Sequence, residues 1–504
     1  MSQLPADCLH GIFEYLEDDE TTLYSCILVN RLWCEVAVKF YWSQIRNFKT
    51  LIACLPDESK KTLNKNGIII STPTSKRSQF SITSLLYSLG RRNETIISLP
   101  TSKPPIFNYA SFCKYLSTDQ VHSEIRTLVI NQLSLDNYNY NKVLIVEQEI
   151  LKMLINRISS LKLLNCKNNI NITIILCPKA RYCLANLSSL YCNTSTSSEF
   201  LCQLAHLCHN ISRINISCDK YITNGLNGLK DLISAQNNIE YLRIGYLTDT
   251  VLPLITKFPN TLTKLRLCGR EGCFISAHIA KFTNLQELDL AFNSSNSFKD
   301  FERLEFPQLR ILKFRKECPE YILLKKFLEI NGINLEEIHL SIESYKGNSL
   351  NLTITRFCPN LRKINNGFES VDLGTLKKVL ISCKCLESIV IWCGGGFLSE
   401  KEALEMVVKY TQNVREIILF HQSGDLKSEL LPHELESFFV SLENRIPQKS
   451  LSLVIVKRVI DVACGNSDSL NRNDENMRII EKYIKSGVIR KFSHFLDHQF
   501  DVFY

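Results

Sequence analysis

Apolar positions organise the chain before any other property does. Leu9, Ile12, Phe13 and Leu16 repeat at i, i+3, i+4 and i+7, which places them on one face of a helix, and Pro5 suits its first turn. Asp18, Asp19, Glu20 and Thr21 mark the start of a second helix running through Leu23, Cys26 and Ile27 towards Val29. Asn30 can cap a third, in which Trp33, Val36, Ala37 and Phe40 follow the same spacing and Trp42 closes the stretch. Three short helices in so few residues bury little, so the pattern predicts a partner or a docked neighbour for the remaining apolar surface.

Between Lys49 and about Gln120, stretches rich in Ser, Thr, Lys and Pro alternate with short apolar pieces at Leu51–Leu55, Ile82–Leu89 and Phe107–Leu116. This reads as a partly helical connector packed on the next domain, with Arg91-Arg92 on a solvated surface. Beyond it one motif recurs, apolar-x-x-apolar-x-apolar. Its copies are Ile125/Leu128/Ile130, Leu161/Leu164/Cys166, Leu187/Leu190/Cys192, Ile211/Ile214/Ile216, Ile239/Leu242/Ile244, Leu262/Leu265/Leu267 and Leu285/Leu288/Leu290. They continue as Leu309/Leu312/Phe314, Leu335/Ile338/Leu340, the degraded Leu361/Ile364/Asn366, Leu386/Ile389/Ile391, Val414/Ile417/Leu419 and Leu451/Val454/Val456. From Leu161 to Val414 the spacing stays between 23 and 28 residues. Each copy reads as a strand followed by a helix, clearest at Glu402–Lys409, and such units bury their faces only by stacking in parallel. The longer gaps at 130–161 and 419–451 each hide an irregular or extra unit.

Two family resemblances rest on these residues. The run from Leu4 to Trp42 resembles the F-box: Leu4-Pro5, the Leu9/Ile12/Phe13/Leu16 stripe, the Leu23–Val29 helix, Val29-Asn30-Arg31-Leu32-Trp33 and the terminal Trp42. The repeats resemble the leucine-rich repeats that commonly follow an F-box. Together they imply an α/β architecture: a three-helix F-box over 1–48, a connector over 49–120, and a solenoid with an irregular C-terminal cap over 121–504. Parallel strands would line its concave side and helices its convex side. The resemblance further implies a substrate receptor of a Skp-cullin-F-box ubiquitin ligase, bound to a Skp-type adaptor and through it to a cullin, without catalysis or cofactor of its own. A repeat scaffold that uses the adaptor outside ubiquitination stands as the alternative. Adaptor contact is expected from Leu4, Pro5, Leu9, Ile12, Phe13, Leu16, Val29 and Trp33, with Val36 and Phe40 shared with the module's own core.

Composition narrows the picture. Of 504 residues, 45% are apolar and 22% charged, which suits a folded chain. The 20 cysteines are too dilute for a disulfide scaffold and fit small buried positions, such as Cys8, Cys26 and Cys34 in the head and Cys166, Cys192, Cys218, Cys268 and Cys393 in the repeats. Residues 1–48 hold three basic and seven acidic side chains, so the net +8 divides into an acidic head of −4 and a body of +12. That charge is too spread for a phosphate-binding stripe, so no nucleic-acid partner is expected. The start lacks a secretory pattern and apolar runs are short, which predicts a soluble protein of the cytoplasm or nucleus without a membrane partner.

No catalytic set emerges. Cys202, His206, Cys208 and His209 lack the spacing of a zinc site, Cys383 and Cys385 do no better, and Cys393-Gly394-Gly395-Gly396 lacks the Lys-Ser/Thr of a phosphate loop. On the concave face the middle row runs Asn215, Arg243, Arg266, Asp289, Lys313, His339, Val390 and Ile418. Arg266, Asp289 and Lys313 in that row can neutralise one another as an ion ladder. Against that stands a two-part target site: Arg243, Lys264 and Arg266 for an acidic or phosphorylated segment, and an apolar patch centred on Trp392 and Phe420.

Overall fold

The computed structural model describes residues 4–72, 95–130, 140–166, 175–217, 225–245, 255–269, 276–341, 347–394, 396–421, 430–445, 449–458 and 469–496. Ile82–Leu89, Arg91-Arg92 and Cys218 lie outside them. The chain divides into two units, Met1–Ile244 and Gly245–Tyr504. None of the helices among the described residues is long and apolar enough to cross a membrane.

The first unit opens with α1 (Ala6–Tyr15), α2 (Glu20–Ile27) and α3 (Arg31–Tyr41). Pro5 takes the N-cap position of α1; the Asp19 carboxylate accepts from the Thr22 N–H and the Asn30 carbonyl from the Trp33 N–H, so both later helices start on side-chain caps. Helices α4 (Phe48–Ala53) and α5 (Asp57–Lys65) follow, then β1 (Ile68–Ser71) paired in parallel with β2 (Thr95–Ser98). A second parallel sheet is built from β3 (Tyr115–Ser117), β4 (Leu163–Cys166), β5 (Ser189–Asn193), β6 (Arg213–Ser217) and β7 (Tyr241–Gly245), each beside its successor.

The motif at Ile125/Leu128/Ile130 is not a strand. It lies in a helix, Thr118–Ile130, whose buried stripe is Val121, Ile125 and Val129, a helical spacing that a three-residue strand motif matches by coincidence. The strand that precedes β4 is β3, within the stretch read as connector, and the 130–161 gap holds the long helix Tyr140–Arg157. That helix is tied back to the small β1–β2 sheet: buried Lys142 donates to the Gly67 carbonyl at 3.3 Å and to Thr95 Oγ1 at 3.1 Å.

In the second unit the parallel order is β8 (Lys264–Gly269), β9 (Glu287–Phe292), β10 (Ile311–Phe314), β11 (Glu337–His339), β12 (Lys363–Asn366), β13 (Ser388–Cys393), β14 (Glu416–His421), β15 (Leu451–Lys457) and β16 (Ile489–Leu496). Helices such as Tyr321–Asn331, Leu373–Ser382 and Glu400–Tyr410 fill the intervals and pack side by side. Alternate side chains of each strand, for example Leu288 and Leu290 or Leu312 and Phe314, are buried against them; the others face the open side of the sheet.

The last motif copy is shifted by one residue. Leu453 and Ile455 pair with the core residues Ile417 and Leu419, so Val454 and Val456 stand on the open face beside Ile418 and Phe420. Leu451 to Val456 is apolar at every position but Ser452, so periodicity alone cannot orient it, and a slip of one residue exchanges the two faces. The degraded copy at 361 is in register: Asn366 is fully buried, and its amide meets that of Asn351 while its carbonyl accepts the Gly367 N–H at 2.8 Å.

Candidate adaptor and target surfaces

The head closes a small core of its own from Leu9, Phe13, Leu23, Cys26, Val36, Ala37 and Phe40, with the Phe13 ring set edge-on to Trp33 at 5.5 Å. Leu9 and Phe13, expected to face an adaptor, are both 0% exposed and belong to that core. A helix this short uses one stripe inward, and Leu9 and Phe13 are its centre. Leu16 and Trp33 are half-buried at the core margin. What remains outward is Leu4, Pro5, Ile12 and Val29, joined by Tyr15, Tyr24 and Leu28, the last 70% exposed. Tyr15 stands one turn beyond Ile12 on α1, a signal present in the i, i+3 spacing but masked by its polar hydroxyl. Cys8 is exposed, not a packed position, since it points away from the Leu9–Phe13 stripe.

The opposite side of the head joins the repeats. Trp42 packs on Tyr109 with ring centres 4.5 Å apart, the Tyr115 hydroxyl donates to Glu17 at 3.3 Å, and Gln44 bridges to Tyr115 as a parallel extension of β3. Lys114 lies over the Phe40 ring at 5.4 Å. An otherwise marginal module is thereby anchored to the first strand of the array.

On the open face of the second unit, charged side chains form shared ion pairs between neighbouring strands. Glu287 lies 3.1 Å from Lys264 and 3.2 Å from Lys313; burial pushes its carboxyl up, but the two lysines outweigh that and hold it below the usual range. Asp289 lies 3.5 Å from Arg266 and 2.9 Å from Arg315. Glu337 stands 3.6 Å from His339 and 3.2 Å from Lys363, and these neighbours bring its carboxyl down to about 2 against the opposing effect of burial. Burial keeps the His339 imidazole below its usual value. Five cations thus surround three carboxylates, so the ladder leaves an excess of positive charge. Lys264 and Arg266 are part of it; Lys313, Arg315 and Lys363 extend it. Arg243 belongs to the first unit, in register opposite Asn215.

The aromatic half of the expected target site is brought together but not exposed. Trp392 is 0% and Phe420 8% exposed, in a cluster with Val390, Ile418, Val454 and Val456 against which Phe397 and Phe495 pack. The Trp392 indole N–H donates to Asn365 at 2.8 Å. These two phenylalanines come from the turn after β13 and from β16, neither of which the strand motif contains.

One buried trio resembles a catalytic set. Cys393 and His421 are neighbours across β13 and β14, and His421 Nε2 lies 3.0 Å from Glu400 Oε1, yet all three are buried and Glu400 also accepts the Leu470 N–H at 3.2 Å. Burial, then the nearby Glu400 and Glu402, push the Cys393 thiol far up, the reverse of an activated nucleophile. Of the three, Glu400 ties the 469–472 turn to its helix through the Leu470 N–H. The thiols of Cys166 and Cys192 are buried as expected, whereas Cys268 is half-exposed on the open face beside Ala291. Cys202 instead donates to Asp231 at 3.0 Å, and among the described residues no three His, Cys, Asp or Glu side chains gather as a metal site.

Residues 1–47 match the F-box-like family. Among solved structures, the leucine-rich-repeat-containing protein LegL7 from Legionella pneumophila is similar at 15% identity, covering 59% of this chain and 90% of that one with a TM-score of 0.35. The structure of the Rad7 and Elc1 complex in yeast is similar at 13% identity, covering 71% of this chain and 97% of that one with a TM-score of 0.38. A comparison with curated proteins finds no match. Residues 1–47 are thus similar to the F-box-like family, and the chain continues as parallel strand-and-helix units.

Proposed function

We propose that this protein is the substrate receptor of a Skp-cullin-F-box ubiquitin ligase, holding a Skp-type adaptor with its head and a target protein with its repeats. The carrying observation is the outward apolar set Leu4, Ile12, Leu28 and Val29 on a head whose own core is already closed by Leu9 and Phe13. Apolar surface left over after a core is complete marks a docking face. The receptor contributes no chemistry; it raises the effective concentration of a target lysine beside ubiquitin carried by the rest of the complex. For the target we favour the basic open face around Lys264, Arg266, Lys313 and Lys363, whose excess charge suits an acidic or phosphorylated segment.

Co-purification from cells tests the reading. The wild-type chain is expected to bring down adaptor and cullin together, and Ile12→Asp with Leu28→Asp to lose both by at least tenfold while the repeats stay folded. Adaptor without cullin would favour a scaffold outside ubiquitination. Retention of the adaptor by the double variant would overturn the assigned face.

A further inference from the structure

A second surface lies in the second unit at the edge where the strands begin, away from the open-face ion pairs. There a groove of about 730 Å³ crosses the starts of β10 to β15. Its floor is held by an amide ladder: Asn334 donates to the Pro307 carbonyl at 3.1 Å, Asn360 to Ile333 at 2.9 Å, and Asn413 to Lys384 at 2.8 Å. Each rung ties one repeat to the one before it, so the groove is fixed in shape at repeat spacing.

Along this floor the residue just before each strand alternates in charge: Arg310, Glu336, Arg362, Glu387, Arg415. Arg310 pairs with Glu336 at 3.4 Å and Arg362 with Glu387 at 2.9 Å, both arginines remaining more than half exposed. Lys384 and Lys449 line the same groove, Lys449 donating to Asn413 at 2.9 Å. With these two lysines and Arg415, cations outnumber carboxylates in the groove. Parallel strands stand about 4.8 Å apart, so the arginines of alternate repeats recur every ~10 Å, and a peptide in the polyproline II conformation covers about that distance in one turn of three residues at about 3.1 Å each, returning every third side chain to the same face.

We propose that this groove binds a protein segment in the polyproline II conformation with an acidic side chain at every third position. Its carboxylates meet Arg310, Arg362 and Arg415, while Glu336 and Glu387, midway between, repel a continuous acidic block. Charge complementarity supplies the attraction, and the intervening glutamates supply the selectivity. This is a binding surface separate from the head and from the open face, and it stands whether or not the ligase reading does.

Fluorescence anisotropy on the full chain tests it with two labelled peptides of equal composition, one carrying Glu at every third position and one carrying the same Glu residues in a single block. The spaced peptide is expected to bind about tenfold tighter, to weaken steeply with added salt, and to lose at least tenfold on Lys384→Glu, Arg415→Glu and Lys449→Glu together. The neutral version, with Ala at the same three positions, is expected to fall between. Charge reversal on the open face, Lys313→Glu with Lys363→Glu, is expected to leave this binding unchanged. Equal affinity for the two peptides, binding that survives the triple reversal, loss on the open-face variant, absence of binding, or tighter binding of a single-stranded oligonucleotide or of anionic vesicles would each overturn the proposal.

Discussion

At the scale of single residues, the strongest determinants are buried amides that no apolar pattern announces. Asn331 accepts the Phe306 N–H at 2.7 Å and donates to the carbonyls of Leu304 at 2.8 Å and Phe327 at 3.1 Å. Gln236 does the same work in the first unit, accepting from Ile211 at 2.9 Å and donating to Cys208 at 2.8 Å. Each side chain satisfies backbone groups of the preceding turn that would otherwise be buried unpaired. Asn331→Ala is expected to destabilise the second unit by about 2–4 kcal/mol, read by urea denaturation, because a buried donor and acceptor both lose their partner. Gly367 is also constrained, for a different reason: a Cβ there would lie 2.3 Å from the Trp392 ring and 2.4 Å from the Phe397 ring. Gly367→Ala should therefore displace Trp392, red-shifting its fluorescence, and cost roughly 1–3 kcal/mol by overpacking.

At the scale of elements, the repeats are joined by rungs as well as by strand pairing. The Cys208 thiol donates to the Leu184 carbonyl at 3.1 Å and the Cys383 thiol to the Cys358 carbonyl at 3.6 Å, each at the end of a helix and each reaching the previous repeat. Burial raises Cys208 to about 12 and Cys383 to about 11, so these thiols stay protonated donors and the abundance of cysteine has a structural account. The ion pairs of β11 make stability depend on pH. His339 is held below its ordinary value of 6.5, chiefly by burial, so the unfolded chain takes up its proton first and stability falls as pH drops below 6.5. Glu337 is held near 2, so its contribution is full above its ordinary value of 4.5 and is lost as pH falls from there towards 2. Thermal stability should therefore weaken in two stages on acidification, and His339→Gln should remove the upper stage and shrink the lower one, because His339 is the first of the neighbours that hold Glu337 down.

At the scale of the molecule, the head has its own core and is also anchored by its neighbours. Trp42, 7% exposed, stacks on Tyr109 and lies beside the Gln44–Tyr115 bridge, so part of the head's stability comes from the first repeat. Trp42→Ala is expected to remove about 3–5 kcal/mol of packing locally. Hydrogen exchange should then accelerate across α1 to α3 while the helix Tyr140–Arg157 stays protected. A uniform acceleration through the first unit would show instead that head and repeats unfold together. Adaptor capture should weaken in the same variant, because the outward apolar set is presented only by a closed head.

The three helices, the strand positions from Leu164 to Leu419 and the row order across the sheet were legible in the sequence, because each depends on spacing within a few residues and on the alternation that a pleated strand imposes. The copy at Leu361 fell in step with its neighbours, but its register at Asn366 was set only by pairing with Ser388–Ile391. Four further matters were decided only by tertiary structure. Leu9 and Phe13 became core and not contact, because the face a short helix buries is chosen by the helices packed on it. The Ile125 motif became a helix, because a strand needs a neighbour to pair with and Tyr115–Ser117 occupied that place first. In the run from Leu451 to Val456 both faces are apolar, so only pairing with Ile417 and Leu419 could select its register. Trp392 and Phe420 became buried in a cluster against which Phe397 and Phe495, remote from the repeat motif, also pack. Local alternation is written in consecutive residues, but what packs on an exposed-looking face is contributed by chain elsewhere, and no spacing rule contains it.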